Sequence, residues 1–104
     1  MEKKIVAVCA CIAGVAHTYM SKANLEKHGK AQGIKVKVET QGAMGIEGRL
    51  SQSDIDEADV VIFAVDTNVA NRDRFVGKTI LEVNTKEAVK HGQEVIEKAI
   101  ALMK

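Results

Sequence analysis

Cys11 opens the stretch with the most chemical promise, Cys11-Ile12-Ala13-Gly14-Val15-Ala16-His17-Thr18, which follows an apolar run and contains one glycine. Backbone N–H groups in a turn leading from a strand into a helix can converge on an anion, and the helix N-terminus adds its own donors and dipole. The result is a cradle sized for phosphate, with a thiol at its mouth. A free thiol with a pKa near 8.5 is only about 3% ionised at pH 7, and lowering it by about two units, roughly 2.7 kcal/mol, makes the thiolate the major species. Cys11 is therefore the candidate nucleophile. His17 falls near the first helical turn, where a neutral imidazole donates one hydrogen bond and a protonated one needs bound phosphate to offset the helix dipole. Thr18 can offer its hydroxyl to the loop or cap the helix. Cys9 lies within the preceding strand and reads as core.

The elements that must hold this loop are legible as patterns. Ile5-Val6-Ala7-Val8-Cys9-Ala10 and Val60-Val61-Ile62-Phe63-Ala64-Val65 are continuous apolar runs, as expected of strands buried on both faces. Lys35 to Glu39 alternates and Thr79 to Val83 is only partly apolar, which places both at sheet edges. Ala16, Tyr19, Met20 and Ala23 recur at helical spacing in a segment that closes at Gly33 after the weak interior Gly29. Ser51 and Asp54 have the spacing of a capping box. A helical turn is expected from about Thr85 to His91, and the stripes Val95/Ala99/Leu102 and Ile96/Ile100/Met103 mark a C-terminal helix. With right-handed crossovers, this order predicts an α/β three-layer sandwich with a four-stranded parallel sheet, strand order 2-1-3-4, flanked by helices in a Rossmann-like arrangement. The winding reverses between strands one and three, and ligands bind at such reversals, beyond the strands' C-terminal ends. The Cys11 loop lies there.

Composition narrows the function. The 104 residues suit a single domain spanning 1–104, with only Tyr19, Phe63 and Phe75 as aromatics. A net charge of +1 and no basic block interleaved with aromatics argue against nucleic acid. Two cysteines one residue apart favour a reduced cytoplasmic thiol over a disulfide, and no residue spacing implies a metal or cofactor. Lys3 and Lys4 before the apolar run to Ala16 have the outline of a signal peptide, but the run supplies the strongest strand candidate. It also falls short of the roughly 20 residues of a membrane span. Gly42, Gly45 and Gly48 read as a surface loop, either mobile beside the Cys11 site or ordinary, and His28 and His91 as solvated positions. Gly77-Lys78-Thr79 lacks the first glycine of a Walker A loop and leads into a strand.

The segment from Cys11 to Met20 resembles that of the fructose-type enzyme IIB component of the phosphoenolpyruvate-dependent sugar phosphotransferase system. Members of that family carry a cysteine followed by Pro-Thr-Gly-Ile-Ala-His-Thr-Tyr-Met, and here Gly14 and Ala16-His17-Thr18-Tyr19-Met20 are kept while Ile12 and Ala13 replace proline and threonine. Val38-Glu39-Thr40-Gln41-Gly42, Asp54 to Ile62 and Arg74-Phe75-Val76-Gly77-Lys78 extend the resemblance along the chain. It implies that Cys11 accepts a phosphoryl group from a phosphohistidine of the IIA component and gives it to fructose or a similar sugar held by the membrane IIC component. It implies also that Ile12, Ala13, Gly14, Val15, Ala16, His17 and Thr18 bind the phosphate. The rival reading is a low-molecular-weight tyrosine phosphatase or arsenate reductase, whose Cys-x5-Arg loop differs mainly in having arginine where this chain has His17. That arginine clamps phosphate through two parallel bonds in the transition state, which an imidazole cannot do. A receiver-like module using Asp66 is the third reading, and it lacks carboxylates at the end of strand one.

Overall fold

The structure is a computed structural model describing residues 3–10, 15–42 and 45–103, and only the backbone of Val15 and His17. Its strands are β1 (Lys4–Ala10), β2 (Lys35–Gly42), β3 (Gly45–Glu47), β4 (Val60–Val65) and β5 (Ile80–Val83). The helices are α1 (Val15–Ala31), α2 (Gln52–Glu57), α3 (Thr85–Lys90) and α4 (Gly92–Leu102), with a 3₁₀ turn over Arg72–Phe75. The sheet order is β3-β2-β1-β4-β5. The four expected strands are parallel neighbours in the expected order, and the winding reverses between β1 and β4.

The fifth strand corrects the expectation of four. The glycine-spaced segment after β2 is a hairpin arm, with Gly42 opposite Gly45 and Thr40 opposite Glu47 in antiparallel register. With one side covered by β3, the second half of β2 is no edge. Lys35 and Lys37 are exposed, but Val38, Glu39, Thr40 and Gln41 are buried.

Alternation along β1 divides the core. Ile5, Ala7 and Cys9 face Leu25 of α1, Ala88 of α3 and Val95, Ile96 and Ala99 of α4. Val6 and Val8 face Leu50, Ile55, Val69 and Phe75 on the opposite side, where Phe63 and Phe75 pack edge to face at 5.1 Å. Helices thus cover one face, and α2 with the 3₁₀ turn covers the other.

Local chemistry accounts for the helix boundaries. Ser51 and Asp54 form the full capping box of α2. Gly33, at φ +72°, ends α1, with the Ile34 N–H donating to the Gly29 carbonyl at 2.9 Å and the Gly33 N–H to that of Lys30 at 3.0 Å. The interior Gly29 has a packing reason, because a Cβ there would lie 2.2 Å from Val36 Cγ2 on β2. On α4, Leu102 is exposed, so the apolar stripe is narrower at its end than its spacing implies.

The stripe that announced α1 faces outward. Ala16, Tyr19, Met20 and Ala23 are exposed, and the inward face carries Thr18, Ser21, Leu25 and Gly29. Small polar groups serve there because α1 docks on α3 through hydrogen bonds: Ser21 Oγ to the Thr85 carbonyl at 3.3 Å and Asn24 Nδ2 to the Val89 carbonyl at 2.9 Å. His28 is likewise half-buried, packed beside Gly92, whereas His91 is exposed as expected.

Candidate functional site

Three parallel strands end level with one another at the reversal of winding. Ala10 is in register with Gln41 on one side and Val65 on the other, and the Asp66 N–H donates to the Ala10 carbonyl at 2.9 Å. β1 ends at Ala10, and Val15 is the first residue of α1. Cys11, Ile12, Ala13 and Gly14 lie outside the described residues. Val15, Ala16, His17 and Thr18 form the first helical turn, so the helix takes over half of the segment expected to be loop. Ala16 is exposed and Thr18 buried, and Thr18 lies too far into the helix to be its cap. The first N–H groups of any helix lack intrahelical acceptors, and here they belong to the turn that directly follows residues 11–14.

Around this point three loops are tied down. The Tyr19 hydroxyl donates to Glu47 on β3, and this bond raises the tyrosine pKa. Asp66 accepts from the Thr85 N–H at 3.1 Å and the Thr85 hydroxyl at 2.5 Å, joining the end of β4 to the start of α3. It acts as a turn residue, as the sequence suggests.

The third tie is a buried charged cluster. Glu39 is fully buried and Arg74 has 12% of its side chain exposed. Arg74 Nη1 and Nη2 each donate to a different Glu39 oxygen at 2.9 Å, the parallel geometry that makes arginine–carboxylate pairs strong. Gln41 Nε2 and the Leu50 N–H also donate to Glu39, at 2.6 and 2.9 Å. Burial pushes the Glu39 carboxyl up, but the bonds from Arg74, Gln41 and Leu50 outweigh it and leave the pKa below the usual carboxylate range. Gln41 completes the cluster by exchanging two bonds with Ala70, accepting from its N–H at 2.8 Å and donating to its carbonyl at 3.2 Å. Residue typing alone does not indicate this cluster: Glu39 closes the alternating segment expected at a sheet edge, and its partner Arg74 lies 35 residues further on. The available signal was that both of its segments, Val38 to Gly42 and Arg74 to Lys78, carry the resemblance.

Other features have structural uses. Cys9 is buried in the core, and desolvation, reinforced by Glu26 and partly offset by Lys22, pushes its thiol up to about 12. Lys78 Nζ donates to the carbonyls of Ala58 at 2.8 Å and Asp56 at 3.3 Å at the end of α2, so Gly77-Lys78-Thr79 is no phosphate loop. Arg72 lies over the Phe63 ring at 5.0 Å and pairs with Glu82 at 3.3 Å. Among the described residues, no helix is long and apolar enough to cross a membrane.

A mainly parallel sheet whose first strand is followed by a helix at the switch point defines a class of α/β domains that present an anion or a reacting group beyond the strand ends. Residues 6–98 match the family model described as "PTS system, Lactose/Cellobiose specific IIB subunit", and the chain belongs to this family of phosphotransferase-system IIB components. Within it the chain is fructose-like. It is 48% identical over 95 residues to "PTS system fructose-like EIIB component 2" of Escherichia coli K12, covering 91% of this chain and 90% of that protein. A further relative, "PTS system 2-O-alpha-mannosyl-D-glycerate-specific EIIABC component" of the same strain, is 44% identical over 98 residues, 94% of this chain and 15% of that protein. The crystal structure of a domain from the fructose-specific IIABC component of Borrelia burgdorferi superimposes with a TM-score of 0.92 at 42% identity, covering 97% of this chain and 96% of that one.

Proposed function

We propose that this fructose-like IIB component is a cytoplasmic phosphocarrier that uses Cys11 as its phosphorylated residue. In the first step the Cys11 thiolate attacks the phosphorus of a phosphohistidine on the IIA component. The S–P bond forms as the N–P bond breaks, and the imidazole nitrogen keeps the electron pair and takes a proton. In the second step a hydroxyl oxygen of fructose or a fructose-like sugar, held by the membrane IIC component, attacks the same phosphorus. The S–P bond breaks, the thiolate is regenerated and the hydroxyl proton passes to solvent or a base. Positioning and electrostatic stabilisation carry most of such a transfer.

One observation carries this reading: β1 ends at Ala10 and α1 begins at Val15 at the point where the winding reverses, leaving Cys11 to Gly14 as the connection between them. Residues Cys11 to Gly14 and the opening of α1, Val15, Ala16, His17 and Thr18, are assigned to the phosphate, with the backbone donors of Val15, Ala16 and His17 at the start of the helix. Ile12 and Ala13 supply no side-chain donors, so the backbone bears this role.

The phosphatase alternative is disfavoured on the same ground. Residues 11–18 contain no arginine, so the segment itself brings no guanidinium, and Arg74 is committed to Glu39. Without a guanidinium clamp, phosphate is held for a second acceptor more readily than it is released to water. The relative that unites A, B and C components in one name supports partners of the IIA and IIC type.

Incubation with phosphoenolpyruvate, the general phosphotransferase components and a fructose-type IIA, followed by peptide mass spectrometry, should find one phosphate on Cys11 and none in Cys11→Ser. Turnover of an aryl phosphate without that label would overturn the carrier reading.

A further inference from the structure

We infer that Glu39, Gln41 and Arg74 are positioning residues for the Cys11 thiol, a role that rests on the carrier reading for its purpose but not for its test. Burying a carboxylate and a guanidinium is expensive, and well-packed apolar residues of similar volume are often as stable or more so. Among the described residues the other buried polar side chains, Thr18, Ser21, Thr40 and Thr85, are all uncharged, so a buried ion pair needs another account. Its location provides one. Gln41 is the register neighbour of Ala10, the residue directly before Cys11, on the side of β1 opposite Asp66.

The cluster joins three segments that come together at this end of the sheet. Glu39 and Gln41 belong to the end of β2. Leu50, which follows the hairpin, gives its N–H to Glu39 at 2.9 Å and its carbonyl to Arg74 at 3.2 Å. Arg74 also donates from Nε to the Asn71 carbonyl at 3.0 Å, and Gln41 holds the Ala70 peptide from both sides. The connection between β4 and β5 is thereby fastened to β2 beside β1's end. Among the described residues, no buried side-chain nitrogen or oxygen lacks a partner. A fully satisfied network of this kind is rigid, and rigidity at a strand end fixes where the next residue starts.

The test uses the intact chain in three forms: wild type, Arg74→Lys, which keeps the charge but loses the fork, and Gln41→Met, which keeps the volume but loses both Ala70 bonds. The pH profile of iodoacetamide alkylation is read at Cys11 by peptide mass spectrometry under native conditions, beside phosphoryl transfer from phospho-IIA. The expected result is an alkylation midpoint displaced upward by half a unit or more, with transfer turnover about tenfold slower at unchanged KM for the donor. If Arg74→Lys does not fold, Gln41→Met alone decides. Folded variants with a wild-type alkylation profile, whatever their thermal midpoint, would overturn the inference. A wild-type protein that gains no phosphate on Cys11 would instead remove the carrier reading, and the alkylation profiles would still test the positioning.

Discussion

Arg74 grips both carboxylate oxygens of Glu39 at 2.9 Å across 35 residues of sequence, inside a protein whose other ion pairs among the described residues are at the surface. Removing one partner leaves a buried charge without its counterion, which costs about 3–5 kcal/mol, while apolar replacement of both partners costs far less. Arg74→Met alone should therefore lower unfolding stability by about that amount. The double variant Glu39→Met/Arg74→Met should be more stable than the single. Urea denaturation of the four members of the cycle measures both, and a double variant as unstable as the sum of the singles would refute the coupling.

The same pair sets a pH dependence. The folded Glu39 pKa lies below its ordinary 4.5, so its stabilisation is complete above that value and is lost as pH falls through the folded pKa. Asp54, held at about 2 by Lys37 and the Ser51 cap, and Glu57, held low by Lys4 and Ser53, act in the same direction. Stability of the wild type should fall steadily below about pH 4.5. Glu39→Gln should be less stable at pH 7 and show a shallower fall, so that the two curves converge. Parallel curves between pH 7 and 3 would exclude Glu39 as a contributor.

How much of this could be read from residue types depended on how local its cause was. The Ser51–Asp54 box, the continuous apolar runs of β1 and β4 and the stop at Gly33 each act within a few residues, and each was legible. The strand before Cys11 and the helix after Gly14 were legible, with the helix beginning at Val15, earlier than expected. The burial of Glu39 was not, because its partner lies in a distant connection and the strand that covers it, β3, has only three exposed residues and no apolar pattern. Alternation in Lys35 to Glu39 described the first half of β2 correctly and said nothing of the hairpin that buries the second.

Cys9 offers a third prediction. Its pKa of about 12 means that the native thiol is neutral at physiological pH, and a thiol rather than a thiolate is a poor nucleophile. Since the folded pKa lies well above that of a free thiol, the contribution to stability is complete below the free-thiol pKa and fades as pH rises toward about 12. At pH 8 iodoacetamide should leave Cys9 unmodified for as long as the protein is folded and should label it readily in denaturant. Peptide mass spectrometry of the two samples makes the comparison, and rapid native labelling of Cys9 would contradict its place in the core.

Helix α1 carries the sharpest contrast between pattern and packing. Its Ala16/Tyr19/Met20/Ala23 stripe has the spacing of a buried face, yet Met20 is 45% exposed and Leu25, outside the stripe, is fully buried. The inward side is held by Leu25, by the close approach of Gly29 to Val36 and by the Ser21 and Asn24 bonds to α3. Truncating a buried leucine costs about 2–5 kcal/mol, whereas a surface substitution away from special features stays within about 0.5 kcal/mol. Leu25→Ala should therefore lower the unfolding free energy by several kilocalories per mole and Met20→Ala should leave it almost unchanged. If Met20→Ala proved the more damaging in urea denaturation, the helix would have to be rotated to bring the stripe inward, and the Ser21 and Asn24 contacts with α3 would fall with it.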